Sequence, residues 1–102
     1  MAIMAIINAP EMTKAQYDAL RPVVQWESNQ PDGVILHSCA FDQQGGLHVV
    51  DLWESADKLQ QFFQDRLGPG FAELGIANIP PPEIYDVHNI DAFPGIEQRC
   101  AP

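Results

Sequence analysis

The middle of the chain constrains the rest. VILHSCAF, residues 34–41, and LHVVDLWE, residues 47–54, are apolar runs joined by DQQGG. Their length and their β-branched and aromatic content suit strands. A short polar joint rich in glycine suits an antiparallel hairpin. A helical pattern lies on each side of this hairpin, and a further short apolar run lies outside each helix. The order β-α-β-β-α-β is that of the split βαβ, or ferredoxin-like, unit. It builds one four-stranded antiparallel sheet with both helices on one face, an α+β fold.

The flanking segments carry their own punctuation. AIMAIIN, residues 2–8, is a short apolar run stopped by Asn8, Ala9 and Pro10, which favours a buried strand. Thr13 and Gln16 have capping-box spacing, so a helix should begin there. Tyr17, Leu20 and Val24 give its buried stripe. Pro22 lacks an N–H and crowds the preceding turn, so the regular helix is predicted to stop near Leu20, with a looser turn running to Trp26. Ser55 is a good N-cap, and Asp57 suits the positive end of the second helix. Leu59, Phe62, Phe63 and Leu67 form that helix's apolar face. Gly68, Pro69 and Gly70 interrupt it, and Phe71 and Leu74 continue the phase toward a stop at Gly75. EIYDVHNI, residues 83–90, reads as the last strand. Residues 2–90 form the expected domain, and residues 91–102 have no periodicity and read as a loose or partner-wrapping arm.

With 102 residues, this is one domain's worth of chain. A formal charge of −9 leaves no basic stripe for a phosphate backbone or an anionic membrane, so neither is an expected partner. Cys39 and Cys100 are too few for a disulfide framework and are expected to be free thiols. The N-terminus has no basic stretch ahead of its apolar residues, and that run is too short to span a bilayer. A cytoplasmic protein is the expectation.

The strands are apolar on both alternating sets. Met4 and Ile6 share one face of the first, while Ile3, Ala5 and Ile7 share the other. A sheet with one wet face should alternate apolar with polar, so the second face is expected to be covered, most economically by a second copy in a homodimer. The same alternation sorts the candidate site. Leu47, Val49, Asp51 and Trp53 share a face. If Phe41 lies opposite Leu47, then Ile35, His37, Cys39 and Phe41 join it, and His37 falls opposite Asp51. A carboxylate that fixes an imidazole's tautomer makes a usable general base, so His37 and Asp51 are the catalytic candidates. The alternative is a structural His–Asp bond at a sheet or dimer interface.

Ligand contacts are expected from Trp53, as pocket wall and core filler together, and from Asn8, Tyr85 and His88. Each of these last three also has a plain role, as turn, packing or strand-end residue. Trp26 reads as a lid or edge contact, and Tyr17 as packing that could offer a phenol. No metal-ligand spacing is present among His37, His48, His88 and the cysteines, and no cofactor motif occurs.

GVILHSCAF, GGLHVVDLWES, LQQFFQDRLGPGFAELGI and PPEIYDVHNI together resemble small bacterial proteins of the antibiotic-biosynthesis-monooxygenase (ABM)-like group, within the dimeric α+β-barrel superfamily. The resemblance covers about residues 2–90. It implies homodimerisation through the sheets and a pocket between sheet and helices in each subunit. It also implies, for some relatives, cofactor-independent monooxygenation of polycyclic phenols, with Trp53 helping to hold an aromatic substrate. Other relatives degrade haem with a first-strand asparagine, a third-strand tryptophan and a helix histidine. Asn8 and Trp53 match in placement, but residues 49–87 contain no histidine. The functions in view are a cofactor-free monooxygenase acting on a small aromatic or phenolic ligand, and a non-catalytic ligand-binding or structural homodimer.

Overall fold

The computed structural model describes residues 1–99; Cys100, with the free thiol expected there, and the end of the arm lie outside the described residues. β1 (Ile3–Ala9), β2 (Val34–Phe41), β3 (Leu47–Trp53) and β4 (Glu83–Asp86) form one antiparallel sheet in the order β2-β3-β1-β4. α1 (Lys14–Val23) joins β1 to β2. α2 (Ala56–Phe62) and α3 (Gly68–Leu74), joined by a π-helical turn over Phe63–Leu67, lead from β3 towards β4. This is the ferredoxin-like arrangement.

Register fixes the two faces. Ala5 pairs with Asp51 on one side and Ile84 on the other, and His37 pairs with Asp51. Ile3, Ala5, Ala9, Leu47, Val49 and Trp53 therefore point one way, and they join Leu20, Val24, Leu59, Phe62 and Ile76 from the helical side in the core. Met4, Ile6, Leu36, Val50 and Leu52 share the opposite face with Asn8, His48 and Tyr85. Val50 and Tyr85 stand exposed there. One detail departs from the alternation. A bulge between Val34 and Leu36 adds a residue to β2, and Ile35, expected beside His37, is exposed instead.

The Thr13 capping box forms in full. α1 then runs past Leu20 and through Pro22 to Val23, further than expected. Pro22 sits in the last turn, where its missing donor removes one bond near the end of the ladder. Gln25 adopts a left-handed φ of 58°. Its N–H bonds to Pro22 C=O at 3.1 Å, and Trp26 N–H bonds to Arg21 C=O at 3.0 Å. This is a Schellman closure, and it sets Trp26 back against the helix that it ends.

The second helical segment accommodates Gly68-Pro69-Gly70 through its wide turn, and Pro69 falls at the start of α3, where a donor is not needed. Gly70 lies against α1: a Cβ there would meet Leu20 Cδ1 and Val24 Cγ1, each at 3.0 Å. Gly75, at φ 65°, ends the segment as expected.

β4 is shorter than the run 83–90. Ile3 pairs with Asp86, and Val87 N–H makes one further bond to Ala2 C=O at 2.9 Å. His88 consequently lies past the strand.

Candidate functional site

A cavity of about 530 Å³ opens between the helices and the Asp51 face of the sheet. Most of its wall is aliphatic or aromatic, from Ile7 and Val49 on the sheet to Leu59, Phe62 and Phe71 on the helices and Ile79 to Pro82 in the following strap. Its polar groups are concentrated where α1 crosses β2 and β3: Tyr17, Arg21, His37 and Asp51.

These four residues form one hydrogen-bonded chain. Asp51 is 6% exposed. Its Oδ1 lies 2.6 Å from His37 Nδ1, and its Oδ2 accepts from the Trp53 indole N–H at 3.2 Å. Trp53, the largest wholly buried side chain among the described residues, thus holds the far side of the carboxylate. His37 Nε2 lies 2.6 Å from the Tyr17 hydroxyl, and Arg21 donates to that same oxygen from Nη1 at 2.9 Å. Arg21 is tied down in turn by Glu27, with Nε 2.8 Å and Nη2 2.6 Å from Oε1. Trp26 packs on the His37 ring at 4.8 Å between centroids, and the Arg21 guanidinium lies 6.0 Å from the Trp26 ring.

The geometry selects protonation states. A buried carboxylate only accepts, so His37 Nδ1 carries a hydrogen directed at Asp51. In the neutral imidazole Nε2 is then an acceptor, and it takes the Tyr17 O–H. Burial, with the Cys39 thiol beside it, pushes the Tyr17 pKa up to about 12, against a smaller lowering by Arg21. Tyr17 is therefore a phenol at neutral pH. Burial opposes the charge on Arg21, but its bonds to Glu27 and Tyr17 outweigh this and hold it protonated. Burial also raises the Cys39 thiol, which stays protonated and behaves as packing.

The sequence candidates divide. His37 and Asp51 meet at the cavity. Trp53 lies beneath Asp51 and acts on it by its N–H rather than lining the space. Asn8, Tyr85 and His88 are not brought there. Asn8 shares the opposite face and lies 2.7 Å from His48 Nδ1, while Asp42 holds His48 Nε2 at 2.8 Å. Tyr85 donates to Glu83 at 2.7 Å on that same outer face. His88 is exposed beyond β4. The residue missed is Arg21; Tyr17, read as packing that could offer a phenol, and Trp26, read as a lid or edge contact, join it at the cavity. The first two stand one helical turn apart on the face of α1 that meets the sheet, and that spacing is visible in the sequence.

Among the described residues, no group of three His, Cys, Asp or Glu is placed to hold a metal ion. The helix above the cavity presents Leu59, Phe62 and Phe63, so it offers no imidazole to a haem iron. No helix among the described residues is long and apolar enough to cross a membrane.

No family model matches the chain, and neither does any curated sequence. Solved structures do match. One, from Chloroflexus aurantiacus J-10-fl and provisionally named an antibiotic biosynthesis monooxygenase, superposes with a TM-score of 0.59 at 14% identity, over 91% of this chain and 97% of that one. SnoaB from Streptomyces nogalater, a cofactor-independent oxygenase, gives 0.54 at 10% identity, over 91% and 96%. A conserved protein from Methanosarcina mazei Go1 gives 0.56 at 15% identity, over 83% and 89%. The chain has the ABM-like fold. In this chain, the space between helices and sheet is the cavity that ends on the Asp51–His37–Tyr17–Arg21 chain.

Proposed function

We propose that the protein is a cofactor-independent monooxygenase acting on a small aromatic ligand that carries a phenolic hydroxyl. The observation that carries this reading is a hydrogen-bonded base, His37 oriented by Asp51, at the polar end of a largely apolar cavity large enough for a fused-ring molecule. Trp26 and Phe62 supply aromatic wall for such a ligand. His37 receives the phenolic proton, and Asp51 stabilises the imidazolium that results. The electron-rich anion then reacts with O₂. Where a ring methylene becomes a carbonyl, one oxygen atom ends in the product and the other in water, the electrons coming from the substrate's own C–H bonds. The likeness in fold to SnoaB agrees with this chemistry.

The test is a thermal-shift screen of wild type and His37→Ala against polycyclic phenols, quinones, haem and small aromatics, followed by oxygen uptake with any ligand that binds. Stabilisation by a phenol, diminished in the variant, together with oxygen consumption, supports the reading. Binding without oxygen uptake leaves a ligand-binding protein and sinks the catalytic claim.

We further propose that a second copy of the chain covers the Met4, Ile6, Val50 and Leu52 face, because those apolar residues share a face of the sheet away from the helices. Light scattering at micromolar concentration should give twice the monomer mass; a monomer refutes this.

A further inference from the structure

His37 has no nitrogen left for a ligand. Nδ1 is held by Asp51 and Nε2 by the Tyr17 hydroxyl, each at 2.6 Å. A phenol in the cavity therefore meets the Tyr17 oxygen before it meets the imidazole. A tyrosine oxygen has one hydrogen to give and two lone pairs to accept with. Here the hydrogen goes to His37 Nε2, and one lone pair takes the Arg21 N–H at 2.9 Å. The second faces the Cys39 thiol, which stays protonated and is only a weak donor that a ligand hydroxyl can displace, and Tyr17 and Arg21 both line the cavity.

We infer that Tyr17 is the catalytic residue that touches the ligand, taking the ligand's hydroxyl proton as it hands its own to His37, and that Arg21 positions it. This rests on the reading of the cavity as a phenol site. In the step, the ligand O–H breaks and a new Tyr17 O–H forms. The old Tyr17 O–H breaks and His37 Nε2–H forms. The ligand is left as a phenolate and His37 as an imidazolium against Asp51. No electrons move between molecules. The raised Tyr17 pKa agrees with such a relay, since a free tyrosinate would be disfavoured and the oxygen must gain one proton as it loses the other. Arg21 stays protonated and cannot pass a proton on. Its N–H fixes the direction of the Tyr17 lone pairs and faces the new phenolate, while Glu27 and the Trp26 ring keep the guanidinium from swinging away.

The probe is a nitronaphthol, whose colour reports its ionisation, buffered below its own pKa. Wild type should bind it and turn it to the coloured phenolate. Tyr17→Phe should bind it and lose the coloured band, and so should His37→Gln. A Tyr17→Phe protein that ionises the probe as wild type does would show that His37 accepts directly, and the relay would be overturned while the phenol-site reading survives. If wild type binds the probe only in its neutral form, both the base and the relay fall. If wild type does not bind it, the phenol-site reading falls and takes this inference with it. Nitrogen NMR of the His37 ring in the ligand-free protein is an independent test. The relay requires the hydrogen on Nδ1 and an accepting Nε2 whose shift changes in Tyr17→Phe. A hydrogen on Nε2 would overturn it.

Discussion

Asp51→Asn should reverse the His37 ring chemistry, and the cause is Trp53. The carboxylate accepts on both oxygens, from His37 Nδ1–H at 2.6 Å and from the buried Trp53 N–H at 3.2 Å. An amide has only one accepting end. If its oxygen faced His37, its NH₂ would face the indole N–H, donor against donor, and a wholly buried N–H would lose its partner at a cost of about 1–3 kcal/mol. If its oxygen faces Trp53, its NH₂ faces His37. The ring then accepts at Nδ1, carries its hydrogen on Nε2, and donates to Tyr17. The only orphan is the Tyr17 hydroxyl hydrogen, which points toward a cavity that water can fill. The second arrangement wins by roughly the buried penalty, on the order of tenfold or more in population. Two charge-assisted bonds become neutral ones, each weaker by about 1 kcal/mol, and relief from burying a charge offsets part of that. The variant should therefore be about 1–2 kcal/mol less stable in urea, with an unchanged m-value. Nitrogen NMR should find the His37 hydrogen on Nε2, and proton abstraction should be lost. Adding Trp53→Phe removes the indole N–H, frees the amide to turn, and should return the hydrogen to Nδ1. An Asp51→Asn protein that keeps the hydrogen on Nδ1, or a second substitution that changes nothing, would refute the reasoning.

Three further outcomes follow from the fold. Gln25→Gly relieves a left-handed side-chain-bearing residue at the end of α1 and should raise stability by about 1 kcal/mol in chemical denaturation. Gly70→Ala places a methyl 3.0 Å from Leu20 and Val24. It should destabilise by about 1–3 kcal/mol through overpacking and disturb the Tyr17 hydroxyl resonance, because α1 must move. The Tyr17 pKa lies at about 12 in the folded chain against 10.0 ordinarily. Between those values the unfolded chain loses a proton that the folded one keeps, so stability should be full below about pH 10 and fall as pH rises toward 12. Tyr17→Phe should remove that segment of the pH–stability curve, and an unaltered curve would contradict it.

The hairpin is legible because its loop is short and its strands are continuous apolar runs; counting outward from Phe41 and Leu47 is enough to set His37 against Asp51. The β1–β3 register decides Asn8, which has the parity of Met4 and Ile6 and so points away from the cavity. That register joins segments 40 residues apart, and nothing local encodes it. Tyr17 and Arg21 are harder to read for a related reason: a helix stripe identifies an inward face, but not which sheet residues that face will meet. Trp26 depends on the closure after Pro22. A proline in the last turn removes one bond rather than ending the helix, and a glutamine takes the left-handed position where glycine is the usual signal. Tyr85 shows the limit of residue type as a guide, since Ile84 beside it lines the cavity and the tyrosine faces outward.

The wide turn at Phe63–Leu67 works as a vernier on the cavity roof. Leu59 and Phe62 follow the spacing of an α-helix and are buried, Phe63 beside them reaches the cavity but stays half-exposed, and the next residue packed on the core is Leu67, five positions on from Phe62, followed by Gly70, Phe71 and Leu74. An unbroken α-helix would have swung Arg66 toward the core instead. As it is, Arg66 reaches the carbonyl of Asn29 and that of Val24 at 3.4 Å. One surplus residue is absorbed in the wide turn, so the cavity-facing side chains on its two sides keep a common inward face. A chain with this cavity and a segment one residue shorter would present the same roof, provided it also gave up Pro69.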